Sequence, residues 1–377
     1  MKKLSAVLVA LTALLAGGAS RVVQDQCGPF TDVTPGFCPF ILEIYYLGIT
    51  VGTSATTFSP DDPLTRGQGA VFVAKGINQT LARSSRRAAL GQWWATGSEG
   101  VLGSLRLPGL AADLLQADGQ DIWVAQSDSV QRVRASDSRL LETWTGALGA
   151  YGIQVAMGRV FATSLQNYLY MIDPTQPAGD VAIVADSLGS GSGSIAFDGS
   201  RLWTANVDSV SIVTPGSTTP WSVSTVATGF NRPVAVLFDG TNIWISDLFA
   251  DSLLRLDSLG SVIQTVPVGH FPNQLTFDGA NIWVPNSGSD TVTIVAASTG
   301  SVLTTLAGNG MSGPLWTAFD GERVLVVGAH SVSLWRAADL RPLGSFTLDA
   351  SDNTDGVCSD GVHFWITVNP VHKLLRF

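Results

Sequence analysis

The stretch Phe277-Asp278-Gly279-Ala280-Asn281-Ile282-Trp283-Val284 decides the fold of this chain. It is typical of the end of one strand, a tight turn and the start of the next strand. Glycine accepts the positive φ that such a turn requires, and Ile, Trp and Val favour strands. Related stretches have their turn glycine at positions 119, 158, 199, 240, 321 and 361. Seven copies about forty residues apart predict a mainly β chain that folds as a seven-bladed β-propeller with four strands per blade.

A tryptophan follows the turn at the same distance in five of these copies, at positions 123, 203, 244, 283 and 365. Two copies lack it. Because equivalent side chains recur from blade to blade, we expect these indoles to pack between blades rather than to bind a ligand.

The repeats also predict how the ring closes. The last copy runs from an inner strand near Val357 through the Trp365 strand to residues 373–377, without a fourth strand. Residues 101–107 precede the first copy and resemble outer strands elsewhere in the chain. We therefore expect residues 101–377 to form the propeller. Its N-terminal strand completes the seventh blade beside the C-terminal strands, which removes two sheet edges.

The composition argues against a nucleic-acid partner. The chain of 377 residues has a net charge of −9, and only 14% of its residues are charged. No basic stripe that would neutralise phosphate groups is visible. The high glycine and tryptophan content fits a turn-rich β protein.

Residues 1–19 have the pattern of a secretory signal peptide. Lys2 and Lys3 precede an apolar run too short to span a bilayer, and small residues follow it. We expect an exported protein with no membrane span after this leader is removed.

The three cysteines are interpreted in that context. In an exported protein Cys27 and Cys38 can close a short loop as a disulfide, and free thiols are the alternative. Cys358 falls in a strand that we expect to be buried, where a thiol acts as a small apolar side chain.

Residues 30–82 are expected to form a separate helical unit. An apolar stretch at 40–47 predicts a first helix, and a second helix is expected to begin near Thr65. Thr65 with Gln68 three residues later matches a capping box. Residues 83–100 are expected to be a linker.

This unit resembles an S-layer homology module. The residues that match the pattern of the family are Phe30, Asp32, Val33, Gly48, Ile49, Gly52, Thr57, Phe58, Pro60, Thr65 and Arg66. Gly67 and Gln68 replace the Ala-Glu pair of the family. The resemblance implies attachment to cell-wall polysaccharide or another envelope component, with Asp32 and Arg66 as envelope-binding residues. A small structural cap is the alternative interpretation.

Residues 101–377 resemble the exported seven-bladed propellers. This group includes surface-layer proteins with a Tyr-Val-Thr-Asn repeat, NHL-type proteins and streptogramin B lyase. The resemblance implies an architecture rather than an activity, because propellers serve as enzymes, binders and scaffolds.

One face of the predicted propeller carries the candidate ligand-binding residues. In propellers, the loops between the second and third strands and the loops to the next blade gather on one face. Polar residues occur there three positions after most tryptophans, and we predict a ligand-binding face formed by Gln126, Asn206, Asp247 and Asn286. Such side chains suit sugar hydroxyls or a cation, and turn formation by Asn and Asp is the alternative interpretation.

The histidines raise the question of catalysis. His270, His330 and His372 fall in the fifth, sixth and seventh repeats, which are neighbours in the ring. A lyase that resembles streptogramin B lyase would need a histidine base and a metal. No local metal-ligand spacing is present, so we predict no metal and no cofactor. A metal-dependent lyase or lactonase-like enzyme that uses these histidines with a divalent cation is the alternative.

Together these patterns predict an exported protein of the cell surface or cell envelope. The helical module attaches it, and the propeller serves as a non-catalytic binding unit or scaffold for a protein or glycan ligand.

Overall fold

A computed structural model shows the fold and describes residues 29–34, 37, 41, 44–45, 50–76, 103–109, 111–349, 353–370 and 372–377. The chain divides into two compact units, Met1–Arg83 and Ser84–Phe377. The predicted signal peptide at 1–19, the linker at 83–100 and the disulfide between Cys27 and Cys38 lie outside the described residues.

The N-terminal unit packs around Phe30. Helical residues occur at 41, 44 and 45, and a helix is described over residues 66–76. The buried Phe30 ring meets the rings of Tyr45 and Phe58 edge to face, at centroid distances of 5.2 and 5.6 Å. No helix in the described part of the chain is long and apolar enough to cross a membrane.

The helix over residues 66–76 begins with the predicted capping box. The backbone N–H of Thr65 donates to Oε1 of Gln68 at 2.9 Å, and the backbone N–H of Gln68 donates to Oγ1 of Thr65 at 3.2 Å. Each side chain thus satisfies an N–H group at the start of the helix. The capping prediction is confirmed.

The C-terminal unit is a ring of seven antiparallel sheets with four strands each, which confirms the predicted propeller. The first strand of each blade lies next to the first strands of its neighbours, around the axis. The first strand of this unit among the described residues is β1 (Gly103–Arg106).

The strands follow one another along the chain in blade order. Blade one contains β2 (Ala112–Ala117), β3 (Asp121–Gln126), β4 (Ser129–Arg134) and β5 (Arg139–Thr145). Blade two contains β6 (Ala150–Ala156), β7 (Arg159–Ser164), β8 (Leu169–Ile172) and β9 (Ala182–Ala185). Blade three contains β10 (Ile195–Phe197), β11 (Leu202–Ala205), β12 (Val210–Thr214) and β13 (Ser222–Val226). Blade four contains β14 (Pro233–Phe238), β15 (Ile243–Asp247), β16 (Ser252–Leu256) and β17 (Val262–Pro267).

The remaining blades include the one that joins both ends of the ring. Blade five contains β18 (Thr276–Phe277), β19 (Asn281–Asn286), β20 (Thr291–Ala296) and β21 (Ser301–Ala307). Blade six contains β22 (Pro314–Phe319), β23 (Arg323–Gly328), β24 (Ser331–Arg336) and β25 (Arg341–Thr347). Blade seven contains β26 (Asn353–Ser359), β27 (Phe364–Asn369), β28 (Lys373–Arg376) and, as its outer strand, β1.

The ring closes through β1, as predicted. This strand pairs antiparallel with β28, from Gly103 opposite Arg376 to Arg106 opposite Lys373. The buried thiol of Cys358 lies close by, in an apolar cluster with Leu107. Cys358 is 8% exposed, which confirms it as a core residue, and this burial raises the pKa of its thiol well above its usual range. We call the junction between blades seven and one the seam.

Five of the turns are tied by their aspartate to the tryptophan that follows. Gly279 has a φ of 96°, which glycine adopts without strain. Oδ1 of Asp278 accepts the N–H groups of Ala280 and Asn281, while Oδ2 accepts the indole N–H of Trp283 at 2.8 Å. The same indole bond is made by Trp123, Trp203, Trp244 and Trp365.

These indoles are fully buried and fill the spaces between blades. Trp123 of blade one shares an apolar cluster with Ile153 and Tyr170 of blade two. Each of the other four tryptophans likewise packs against the next blade. A buried indole stabilises the ring by several kcal/mol, on the order of 25 cal/mol per Å² of apolar area. The predicted packing role of the tryptophans is confirmed.

Candidate functional site

We call the upper face the end of the propeller that carries the loops between second and third strands and the loops that lead to the next blade. The Asp-Gly turns lie at the other end. A cavity of about 440 Å³ lies on the axis and is lined by the first strands of all seven blades. Its polar lining includes Gln116, Gln154, Ser194, Gln274 and Thr317.

The first strands are bulged where they reach the upper face. In blades one, two, four, six and seven, the pairing of the first and second strands shifts register at that end. A bulge inserts an extra residue and redirects side chains. The residues within these shifts include Asp113, Tyr151, Val234, Leu315 and Asp355. The upper rim of the cavity is therefore formed by bulge residues, whose side-chain directions do not follow the regular in–out alternation of a strand.

Two carboxyl groups and a phenol lie together on this rim near the seam. Burial, followed by the charge of Asp355, raises the pKa of Asp113 to about 7. Burial also raises the pKa of Asp355, although its Oδ2 accepts a hydrogen bond from Nδ2 of Asn369 at 2.7 Å. The pKa of Tyr151 rises to about 12 through burial and the two carboxylates. The rim thus holds a carboxyl group that titrates near neutral pH.

The sequence patterns did not indicate Asp113 and Asp355 as site residues. Both precede the turn glycine of their own repeat, Gly119 and Gly361, by the same number of residues. The predicted closure also makes their two repeats neighbours, so the repeat period could have predicted that the two carboxyl groups lie near each other. The bulges bring the two side chains onto one rim, and no sequence pattern marked those bulges.

The predicted ligand-binding residues lie at the ends of second strands. Gln126, Asn206, Asp247 and Asn286 are at most 1% exposed. Nδ2 of Asn206 donates to the hydroxyls of Ser209 and Ser211 at 3.2 and 3.0 Å, and its Oδ1 accepts from the hydroxyl of Ser192 at 2.8 Å. Side chains in this position brace the loops above them. A ligand-binding role for the four residues stays a prediction.

Glycines in the loops to the next blade leave room for these buried side chains. A Cβ on Gly269 would lie 2.7 Å from Cγ of Asn286, and one on Gly109 would lie 2.9 Å from Oε1 of Gln126. Glycines in equivalent loop positions are Gly109, Gly149, Gly189 and Gly269. These glycines also recur with the forty-residue period. Their recurrence in the sequence therefore indicates the buried position at the end of the second strand against which they pack.

Asp247 is the charged residue among the four. Its Oδ2 accepts the backbone N–H of Asn231 at 2.6 Å. Burial raises its pKa. The backbone O of Asn231 in turn accepts the N–H of Phe249 at 3.2 Å. Asp247 therefore supports the loop that carries Phe249 on the upper face.

The three histidines lie in three separate loops of the upper face. His330 and His372 follow the second strands of blades six and seven, and their carbonyl groups accept the N–H groups of Leu348 and Leu107 at 2.8 Å each. His270 lies in the loop from blade four to blade five. Among the residues that the structure describes, no three His, Cys, Asp or Glu side chains are grouped to hold a metal ion. The three histidines are thus not gathered as ligands of one metal.

The two predicted envelope-binding residues differ in their surroundings. Asp32 accepts the backbone N–H groups of Phe58 and Ser59 at 2.9 and 2.7 Å, and these bonds lower its pKa. Arg66 is exposed in the first turn of the helix over residues 66–76. Asp32 therefore holds the fold of a loop, and envelope binding by either residue stays a prediction.

Comparison with known proteins identifies the N-terminal unit. The S-layer homology domain family matches residues 29–70. An endoglucanase from Bacillus sp. (strain KSM-635) is 34% identical over 73 residues, which are 19% of this chain and 8% of that enzyme. The chain therefore spans less than a tenth of the length of this curated relative.

Solved structures resemble the propeller. Virginiamycin B lyase from Staphylococcus aureus matches with a TM-score of 0.61 at 13% identity, over 73% of this chain and 97% of the lyase. A catalytically inactive variant of that lyase with quinupristin gives the same values. The WD40 propeller domain of Doa1 matches with a TM-score of 0.58 at 12% identity, over 74% of this chain and 95% of that domain. At these identities the likeness shows the fold alone.

The fold and the comparisons agree on two parts of the chain. The S-layer homology domain indicates a protein anchored at the cell surface, with a propeller as its larger unit. The chain carries an S-layer homology domain at residues 29–70, followed by a seven-bladed β-propeller.

Proposed function

We propose that this protein is exported, that its S-layer homology domain holds it on the cell envelope, and that its propeller binds a ligand without catalysing a reaction. The observation that carries the proposal is the S-layer homology domain at residues 29–70, because such domains bind cell-wall polymers. The ligand of the propeller is a glycan or a protein of the envelope or its surroundings.

The form of the propeller supports a role in display. Loops that a closed, packed ring supports are held in fixed positions, which suits recognition. Exposed apolar side chains occur on the loops of the upper face, at Leu148, Leu165, Val207, Phe249 and Phe271. Two of them, Phe249 and Phe271, have their rings in contact, and contiguous exposed apolar surface is typical of a binding face.

Co-sedimentation with purified cell envelopes tests the anchoring. We expect the full chain to sediment with envelopes and a variant without residues 30–82 to stay in solution. Arg66→Ala should weaken the affinity for envelopes roughly tenfold, the effect of one lost charged hydrogen bond. Lys75→Ala is the matched control, because Lys75 is exposed on the same helix.

Two outcomes would contradict the proposal. If the variant without residues 30–82 sediments as well as the full chain, the propeller itself holds the envelope. If neither protein sediments, the module is a structural remnant and the protein is freely secreted.

A further inference from the structure

Two phenylalanines stand exposed and in contact on the upper face between blades four and five. Phe249 and Phe271 are 57% and 46% exposed, and their rings meet edge to face at a centroid distance of 6.3 Å. The side chain of His270 beside them is 72% exposed, and its Nδ1 makes a 2.7 Å hydrogen bond with Oδ2 of Asp251. We call Phe249, His270 and Phe271 the aromatic corner.

Both neighbouring blades hold the aromatic corner in place. The N–H of Phe271 donates to Oδ1 of Asp251 in blade four at 3.0 Å. The N–H of His270 donates to Oγ of Ser289 in blade five at 2.7 Å, and the carbonyl of His270 accepts the N–H of Gly288 at 3.0 Å. Phe271 itself has a φ of 55°, which is rare for a bulky residue. These hydrogen bonds stabilise a strained turn in which the side chains of His270 and Phe271 are exposed to solvent.

Gly288 leaves space for this turn. A Cβ on Gly288 would lie 2.7 Å from Cδ2 of Phe271 and 3.1 Å from Cβ of His270. Substitution of Gly288 by alanine would therefore displace the Phe271 ring while the Phe271 side chain stays in the protein.

Isolated exposed apolar side chains are ordinary, but two exposed rings in contact on a strained turn indicate a function. The corner presents apolar ring faces beside a hydrogen-bonding imidazole. A sugar ring has the complementary chemistry, because it combines an apolar C–H face with a rim of hydroxyl groups. Chains of β-1,4-linked pyranose rings with equatorial substituents present the flattest such faces.

We infer that the aromatic corner is a subsite for a β-1,4-linked saccharide chain. Phe249 and Phe271 pack against the C–H face of a sugar ring, and His270 exchanges a hydrogen bond with one of its hydroxyl groups. The inference deepens the proposed function and rests on it, since envelope attachment places the propeller beside polysaccharide. It assigns the propeller a saccharide site separate from the S-layer homology domain.

Calorimetric titration of the full chain tests the subsite, with soluble hexamers of β-1,4-linked N-acetylglucosamine and of β-1,4-linked glucose as probes. We expect at least one hexamer to bind, and Phe249→Ala to weaken binding roughly tenfold through loss of one aromatic contact. Gly288→Ala should weaken binding similarly, because the added Cβ displaces the Phe271 ring. This variant retains all three side chains of the aromatic corner. Leu259→Ala, which removes a 75% exposed side chain at the opposite end of the propeller, should change nothing.

Binding of neither hexamer overturns the inference, as does equal binding by all variants at unchanged melting temperatures. Envelope sedimentation through residues 30–82 is a separate readout, so a failed subsite with intact sedimentation leaves the proposed anchoring in place. Enzymatic hydrolysis of β-1,4 glycosidic bonds in the envelope and protease digestion separate the two possible partners. If binding that depends on Phe249 survives this hydrolysis but not protease, the partner is a protein and the saccharide inference is wrong.

Discussion

Blade six keeps the turn carboxylate but lacks the indole that this carboxylate binds elsewhere. Leu325 stands at the tryptophan position, and Oδ2 of Asp320 instead accepts from Nε of the buried Arg323 at 2.7 Å. Blade two changes both partners, since Met157 replaces the aspartate and Phe161 packs there without an N–H donor. Blade six thus gives the carboxylate another donor, and blade two removes both donor and acceptor, as expected where an unpaired buried polar group lowers stability.

Asp278→Ala tests this pairing at a single residue. The change leaves the indole N–H of Trp283 and two turn N–H groups without their acceptor, so we expect a loss of about 2–3 kcal/mol in the free energy of unfolding. Denaturant unfolding measures it. Asp186→Ala, at an exposed position, is the control and should stay within about 0.5 kcal/mol of the parent. Equal losses in both variants would contradict the pairing role.

The carboxyl pair at the seam predicts a dependence of stability on pH. The pKa of Asp113 is raised from 3.8 to about 7, so the folded state favours the protonated carboxyl more than the unfolded state does. The stabilisation is complete below about pH 4 and is lost as the pH rises through about 7, by on the order of 2–4 kcal/mol.

Asp113→Asn should remove this loss. We expect the variant to be more stable than the parent at pH 8 and nearly level between pH 5 and pH 8, as followed by thermal melting. Asp186→Asn serves as control and should keep the slope of the parent. A parent-like slope in Asp113→Asn would show that another group titrates.

At the scale of elements, β28 has the most consequential position, because it pairs with β27 on one side and with β1 on the other. Leu374 and Leu375 of this strand, and Phe377 directly after it, are buried in the core. Loss of this strand removes three buried side chains and leaves β1 without its partner.

Deletion of residues 370–377 should therefore lower the melting temperature of the propeller by more than about 10 °C, since each buried side chain contributes roughly 2–5 kcal/mol. Calorimetry on the truncated chain measures the change. Leu303→Ser, on an exposed part of the outer strand β21, should melt within a few degrees of the parent. An unchanged melting temperature after truncation would mean that the ring does not depend on its closure.

At the scale of the whole molecule, repetition determined what the sequence could predict. Gly279 and Trp283 have counterparts around the ring because every gap between blades needs similar packing, so the period predicted the blades and their closure. Asn206 also follows the period, yet its burial depends on the loop glycine Gly189 that lies against it. Phe249 and Phe271 have no counterparts in the other blades. The repeat period therefore could not predict the aromatic corner, because a period reveals only features that recur.

The strand that closes the ring is also the described part of the propeller nearest in sequence to the N-terminal unit. In the anchored protein that we propose, a pull on the N-terminal unit passes along the chain towards Gly103, whose partner in β28 is Arg376. The four residue pairs between β1 and β28 bear this load before the other blades do. Under force we therefore expect β1 to separate from β28 first, so that this short strand pairing sets the mechanical strength of the protein.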